Sequence, residues 1–430
     1  MNALVVGGGG REHAIVWKLK QNSFIKTIYC APGNAGIQAE ASCIPVAPTD
    51  LEGLLTLAKE KEVGLTIVGP EAPLVAGIVD RFSSEGLTAI GPSREAAQLE
   101  GSKVFTKEVL KAAGVPTADF EVFNNPASAL RALKGKSYPL VVKADGLAAG
   151  KGVLIAQNDG EAKGAIRTIM EEKAFGDAGN RVVIEEFLEG EEASFIVLTD
   201  GETIIPLASS QDHKAIYDGD KGPNTGGMGA YSPAPVIDGA MHETIMKTII
   251  EPVIEKMNER GTPFRGILYA GLMISDGTPY VLEFNVRMGD PETQPILFRM
   301  EGDLAEAFLY LHNGQLHKAR LSWNPGSSLC VVLASKGYPG HYKKGEVITG
   351  LEDLEERSDV KVFHAGTKRD ATGTFVTAGG RVLGVTAIDE TLTACRDKVY
   401  KSIEAVHFDG MTYRKDIGLK GIRREMQLSL

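Results

Sequence analysis

The chain of 430 residues is long enough for about three domains at the usual ~150 residues each. Its 56 acidic and 46 basic residues leave a formal net charge of −10, which argues against a broad nucleic-acid or membrane footprint, because either needs a basic face. Hydrophobic residues at 43% and charged residues at 24% exclude disorder as the main state, and the 50 glycines, well above the usual ~7%, fall in loops rather than in a repeat.

Residues 4–6 read as a first strand that ends in Gly7-Gly8-Gly9-Gly10, with a helical pattern from Arg11. A second strand over 27–30 closes on Pro32-Gly33-Asn34. A helix with Leu51, Leu54, Leu55 and Ala58 on one face follows the cap candidates Thr49 and Asp50. Strands over 65–68 and 88–90 each run into Gly-Pro and then a helical pattern. This alternation predicts a parallel-sheet, Rossmann-like α/β domain. From Ser102 the pattern changes. A helix to Ala113 precedes β-like runs at 138–143 and 152–156 around a glycine loop, then strands over 181–186, 193–199, 267–274 and 280–286. Ser275-Asp276-Gly277-Thr278 is a hairpin signal between the last two, so this block is expected to be α+β. Beyond Gly314, short strands at 329–334, 361–364, 373–376 and 382–386 and a helix near 392–405 predict a small β-rich third domain. The expected domains are therefore 1–101, 102–314 and 315–430.

Four cysteines (Cys30, Cys43, Cys330 and Cys395) without a paired CxxC give neither a zinc site nor a disulfide framework, and suit a reducing compartment. No basic leader or cleavage pattern precedes the first strand, and no apolar run reaches the ~18 residues of a membrane span. A cytoplasmic enzyme without a nucleic-acid or membrane partner is expected.

Four segments carry chemistry. Gly8, Gly9 and Gly10 between a strand and a helix let backbone approach a phosphate at the helix N-terminus, with Arg11 as a partner. The third glycine of a dinucleotide fingerprint is missing, replaced by Glu12 or His13 according to register. The second strand also lacks a ribose-binding acid, so a phosphate-sized anion fits better than a nicotinamide cofactor. Lys143-Ala144-Asp145-Gly146-Leu147-Ala148-Ala149-Gly150-Lys151-Gly152 resembles a Walker loop but lacks its first glycine and its Ser/Thr; strands flank it, and it reads as a glycine hairpin able to close over a triphosphate. In Val281-Leu282-Glu283-Phe284-Asn285-Val286-Arg287, residues two apart share a face. Glu283, Asn285 and Arg287 should therefore point together while Leu282, Phe284 and Val286 face the core. A carboxylate beside an amide oxygen suits Mg²⁺, and Arg287 suits a carboxylate or phosphate. Gln211-Asp212-His213-Lys214, followed by the glycine-rich loop from Pro223 to Gly229, could position a small charged substrate; a lone histidine such as His213 is more often structural.

Taken in order, GGGGREHA at 7–14, GPEAPL at 69–74, KADGLAAGKG at 143–152, QDHK at 211–214, NTGGMG at 224–229 and EFNVRMGDPE at 283–292 resemble the glycinamide ribonucleotide synthetase family of ATP-grasp ligases, over essentially the whole chain. The resemblance implies a central ATP-grasp domain with a lid at about 120–190. It implies ATP with Lys103 and Lys143 at its phosphates and Lys151 in the closing loop. Glu185, Glu186, Phe187 and Leu188 would receive adenine, Glu192 would lie near the ribose, and Glu283 and Asn285 would bind Mg²⁺ or Mn²⁺. The sugar phosphate would meet Gly8, Gly9, Gly10 and Arg11. Asn224, Gly226 and Gly227 would line the substrate side, and Asp212, Lys214, Arg287 and Asp290 would surround glycine and the transferred phosphoryl. The implied substrates are glycine and 5-phosphoribosylamine, with transient contact to the enzyme that supplies the latter. The implied reaction belongs to de novo purine biosynthesis. Another ATP-grasp carboxylate–amine ligase or carboxylase, a nicotinamide-dependent oxidoreductase and a non-catalytic nucleotide-binding regulator are the rival readings.

Overall fold

A computed structural model describes residues 1–148, 151–355 and 357–428. The N-terminal sheet is wholly parallel, in the spatial order Ser42–Cys43, Thr27–Pro32, Asn2–Gly7, Val63–Val68 and Ala89–Ile90. Alternation along its central strand sends Leu4 and Val6 to one face and Ala3 and Val5 to the other. Both faces continue into the core of the middle block: Leu4 and Val6 share a cluster with Phe195, Leu268 and Phe284, and Ala3 and Val5 share another with Ile196, Leu198 and Ile296. The first domain is thus packed against the middle block on both sides.

The block expected to be the lid is a four-stranded antiparallel sheet ordered Phe120–Phe123, Val182–Glu186, Leu140–Ala144 and Val153–Ala156. Its apolar residues, among them Ala129, Val142, Ile166 and Ile184, form a cluster of their own. This cluster is separate from those of the first domain and the floor sheet. The floor opposite it is the sheet Ile204–Pro206, Glu191–Thr199, Gly266–Ser275 and Thr278–Asn285. Its last two strands are joined as expected through Asp276 and Gly277, both at positive φ, the conformation a two-residue hairpin turn requires.

Two findings depart from the sequence reading. The register slips beside Leu272, which pairs with Val281 while Gly271 pairs with Glu283. Leu282 is therefore the extra residue of a bulge, half-buried and lining the cleft. Val281 rather than Leu282 joins Phe284 and Val286 in the core. The C-terminal sheet, Gln211–Asp212, Gly229–Ser232, Ser327–Ser335, Arg381–Asp389 and Val360–His364, draws its first two strands from the middle block. Strands too short to show a period of two, such as Gln211–Asp212, leave no pattern to read.

Candidate active site

Lid, floor, first domain and C-terminal sheet meet around a cleft of about 500 Å³. The structure brings to its wall Arg11, Lys103, Lys143, Glu185, Glu186, Phe187, Leu188, Glu192, Asp212, Lys214, Asn224, Gly226, Glu283, Asn285, Arg287 and Asp290. Lys103 begins the helix Lys103–Ala113, capped by the Ser102 hydroxyl, which accepts the Phe105 N–H at 3.1 Å. Its ammonium donates to Gly146 O at 2.9 Å, on the lid loop. Lys143 stands on the central lid strand, donates to Leu282 O at 3.2 Å and lies 2.8 Å from Glu185 Oε2. Ala149 and Gly150 of the glycine hairpin lie outside the described residues. Lys151 lines a neighbouring cleft of about 1030 Å³, between lid and C-terminal domain, together with Tyr217, Tyr338 and Tyr413.

Glu283 and Asn285 share a face on the floor strand, as the alternation predicts. Burial pushes the Glu283 carboxyl up, yet Lys214, Lys143 and Lys103 together hold it below the usual range. The Asn285 amide oxygen accepts Arg287 Nη2 at 3.0 Å, which fixes the amide orientation and leaves a second lone pair. Among the described residues no group of three or more His, Cys, Asp or Glu is arranged to hold a metal. One carboxylate and one amide oxygen nevertheless fit a hard divalent cation that completes its shell with phosphate and water.

Arg287 is clamped between acids: Nη2 lies 3.0 Å from Glu100 Oε1, and Nε lies 3.5 Å from Glu71 Oε2. Burial disfavours its cation, but these carboxylates keep it firmly charged. Glu71 belongs to the GPEAPL stretch, whose role the sequence reading left open. Lys214 bridges Glu192 Oε2 at 3.1 Å and Glu283 Oε1 at 3.6 Å. Burial works against its charge, but Glu192, Glu283 and Asp212 raise it well above the ordinary lysine value. Asp212 is pushed well above its usual range by burial, which Lys214 only partly offsets. His213, lowered to about 4 by burial and set with Nδ1 3.3 Å from Gly229 O, is a neutral internal histidine.

The N-terminal glycine loop lies beside the cleft wall, where a Cβ on Gly9 would sit 3.3 Å from Asp290 Oδ2 and one on Gly10 3.7 Å from Asp290 Oδ1. Gly8, Gly9 and Gly10 are not among the residues lining the cleft. The Gly9 N–H donates to Glu12 Oε2, and Arg11 Nε donates to Glu12 Oε1 at 2.6 Å. Glu12 is 2% exposed; a Cβ on Gly69 would lie 1.9 Å from its Oε1, and one on Gly7 2.6 Å from its Cγ. An internal carboxylate thus fills the space a third fingerprint glycine leaves open, and Arg11 alone of this segment reaches the cleft. Gly227, at positive φ, packs against Pro291 instead of the cleft, where a Cβ would sit 2.4 Å from Pro291 Cδ.

Sequence reasoning missed Arg381. It leads the strand Arg381–Asp389 and donates from Nη1 to Asp290 O and Gly226 O, both at 2.7 Å, and from Nη2 to Asp290 Oδ2 at 3.1 Å. Burial pushes the Asp290 carboxyl up, and Arg381 and then Arg11 hold it below its usual range. The Gly379-Gly380 pair before a strand was the available signal. Tyr269 was missed as well; its hydroxyl donates to Glu292 Oε1 at 2.8 Å, beside Ser194.

A lid sheet over a floor sheet, with lysines above and an acid–amide pair below, defines an ATP-grasp protein. Family models agree along the chain: residues 1–100 match the phosphoribosylglycinamide synthetase N domain, 101–293 its ATP-grasp (A) domain and 328–420 its C domain. The chain is 51% identical over 427 residues to the phosphoribosylamine–glycine ligase of Yersinia pestis, covering 99% of this chain and 100% of that one. A crystal structure of the Thermotoga maritima phosphoribosylamine–glycine ligase superposes with a TM-score of 0.86 at 36% identity, covering 97% of this chain and 100% of that one. A biotin carboxylase from Campylobacter jejuni shares the fold at TM-score 0.74 and 16% identity, covering 97% and 94%. This chain belongs to the phosphoribosylglycinamide synthetase family.

Proposed function

We propose that this chain joins glycine to 5-phosphoribosylamine, with ATP converted to ADP and phosphate, as an ADP-forming ligase of purine biosynthesis. The observation that carries the reading is the convergence on one cleft of Lys143 from the lid and Lys103 from the helix Lys103–Ala113 with Glu283, Asn285 and Arg287 from the floor. Glycine's carboxylate attacks the γ-phosphoryl, giving glycyl phosphate and ADP. The amine of phosphoribosylamine then attacks the acyl carbon, and phosphate leaves as the amide forms.

Phosphoryl transfer asks mainly for alignment and charge neutralisation. Lys103 and Lys143 face the phosphates, and Arg287, held by Glu100 and Glu71, presents a fixed guanidinium to glycine and the transferred group. Glu283 and Asn285 would hold Mg²⁺ or Mn²⁺, which when bound supplies further neutralisation at the phosphates. Asp290, kept as a carboxylate by Arg381 and Arg11, and Asp212 are the candidate acceptors of the amine proton. Acyl phosphates hydrolyse in water, so the lid, a unit with its own core, excludes solvent once closed. Arg11 meets the sugar phosphate. No helix of the described residues is long and apolar enough to cross a membrane. We assign the enzyme to the cytoplasm on its metabolic family and its four cysteines without a paired CxxC, with transient contact to the supplier of phosphoribosylamine.

The test is ADP release in the presence of Mg²⁺ with both substrates, then with each omitted. Turnover that needs both supports the reading. Turnover indifferent to glycine overturns it and leaves an ATP-grasp enzyme acting on another carboxylate.

A further inference from the structure

Glu185 is the penultimate residue of the lid strand Val182–Glu186, with its side chain in the cleft, and is 3% exposed. Its two oxygens are used unequally. Oε2 takes both neighbouring cations, Lys143 Nζ at 2.8 Å and Lys107 Nζ at 3.2 Å. Oε1 is buried without a hydrogen-bond partner among the described residues. A buried carboxylate oxygen left without a donor is unfavourable, so a ligand N–H is the natural partner.

Lys107 is one helical turn beyond Lys103 on the same face, 3% exposed, and used by nothing in the mechanism above. Its ammonium donates to Thr117 Oγ1 at 2.7 Å, and that hydroxyl donates to Val281 O at 2.6 Å. The cation is thereby anchored to the floor strand and reaches Glu185 on the lid. Burial lowers the Lys107 ammonium to about 8, with Glu185 working against that shift.

We propose that Lys107 is a positioning residue for nucleotide-base selection: with Lys143 it occupies Glu185 Oε2, so that Oε1 alone meets the base and accepts from an exocyclic amine. Adenine offers an N–H donor at its six position. Hypoxanthine and guanine offer a carbonyl oxygen there, which a carboxylate oxygen repels and leaves unpaired. The proposal rests on the reading that the base of ATP lies at Glu185 to Leu188.

The experiment measures kcat/KM for ATP and for ITP in the full-length enzyme and four variants. Wild type should prefer ATP. Lys107→Met should lower the ATP-over-ITP ratio by about tenfold, chiefly through KM for ATP, a change in the range expected for loss of a charged hydrogen bond. Lys107→Arg should hold the ratio within about threefold of wild type, because the charge stays in place. Thr117→Val keeps both charges and removes only the anchor, so it should lower the ratio by about threefold even if Lys107→Met fails to fold. Glu185→Gln brings an amide able to donate to the carbonyl oxygen and should also lower the ratio. Equal losses for ATP and ITP in Lys107→Met and Thr117→Val, with Glu185→Gln still shifting the ratio, would overturn the role of Lys107 alone. An unchanged ratio in Glu185→Gln, or a wild type that uses both nucleotides equally, would overturn the placement of the base as well.

Discussion

Replacing Arg381 with methionine tests whether the C-terminal domain completes the site or merely abuts it. The side chain fastens three things at once: the Asp290 carboxylate, the Asp290 carbonyl and the Gly226 carbonyl. Losing one partner of a buried ion pair costs about 3–5 kcal/mol, because the other charge stays buried. Arg381 and Asp290 keep 21% and 13% exposure, so some solvation returns and about 2–4 kcal/mol is expected. The pH dependence has a definite sign. Asp290 is depressed in the folded protein, so its stabilisation is present above the unfolded value near 3.9 and is lost as pH falls through the folded value. Without Arg381, burial dominates and the carboxyl rises. The stability gap between wild type and variant should therefore be widest near neutral pH and shrink below about pH 4. Urea denaturation at several pH values measures this. Steady-state kinetics should show kcat/KM for the amine substrate down by about ten- to a hundredfold, as the 224–229 loop and Asp290 lose alignment. An R381M enzyme that unfolds like wild type at neutral pH and keeps its kcat/KM would refute the reasoning.

Two further expectations concern the floor strand and its neighbours. Glu283→Gln keeps size and removes the charge, so the divalent-cation concentration needed for half-maximal activity should rise at least about tenfold, read from metal titrations of ADP release. Glu100 is pushed up to about 7, first by burial, so the native state keeps a proton that the unfolded chain loses near 4.5. Stability should fall between those two pH values, and Glu100→Gln should flatten that slope in a denaturation series. A slope that survives the substitution would place its origin elsewhere.

The sequence alone determined the parallel first sheet, the 275–278 hairpin and the shared face of Glu283 and Asn285. Each depends on local periodicity or turn chemistry, and local backbone sterics act the same way in any context. The six ordered motifs likewise carried the family, because their residue types and spacing are themselves the signal. Contacts between residues far apart in the chain were decided only in three dimensions. Glu12 fills its own glycine loop because Gly69, just past the strand Val63–Val68, leaves room for it. Leu282 turns from core to cleft because pairing with the Gly266–Ser275 strand slips at Gly271. Lys107 and Lys143, from a helix and a lid strand, share one oxygen of Glu185. Arg381 reaches Asp290 across 91 residues of chain, since the C-terminal sheet borrows strands from the middle block and carries it to the rim. Sequence periodicity reports which face a side chain takes, whereas burial and charge depend on what the rest of the chain places opposite that face.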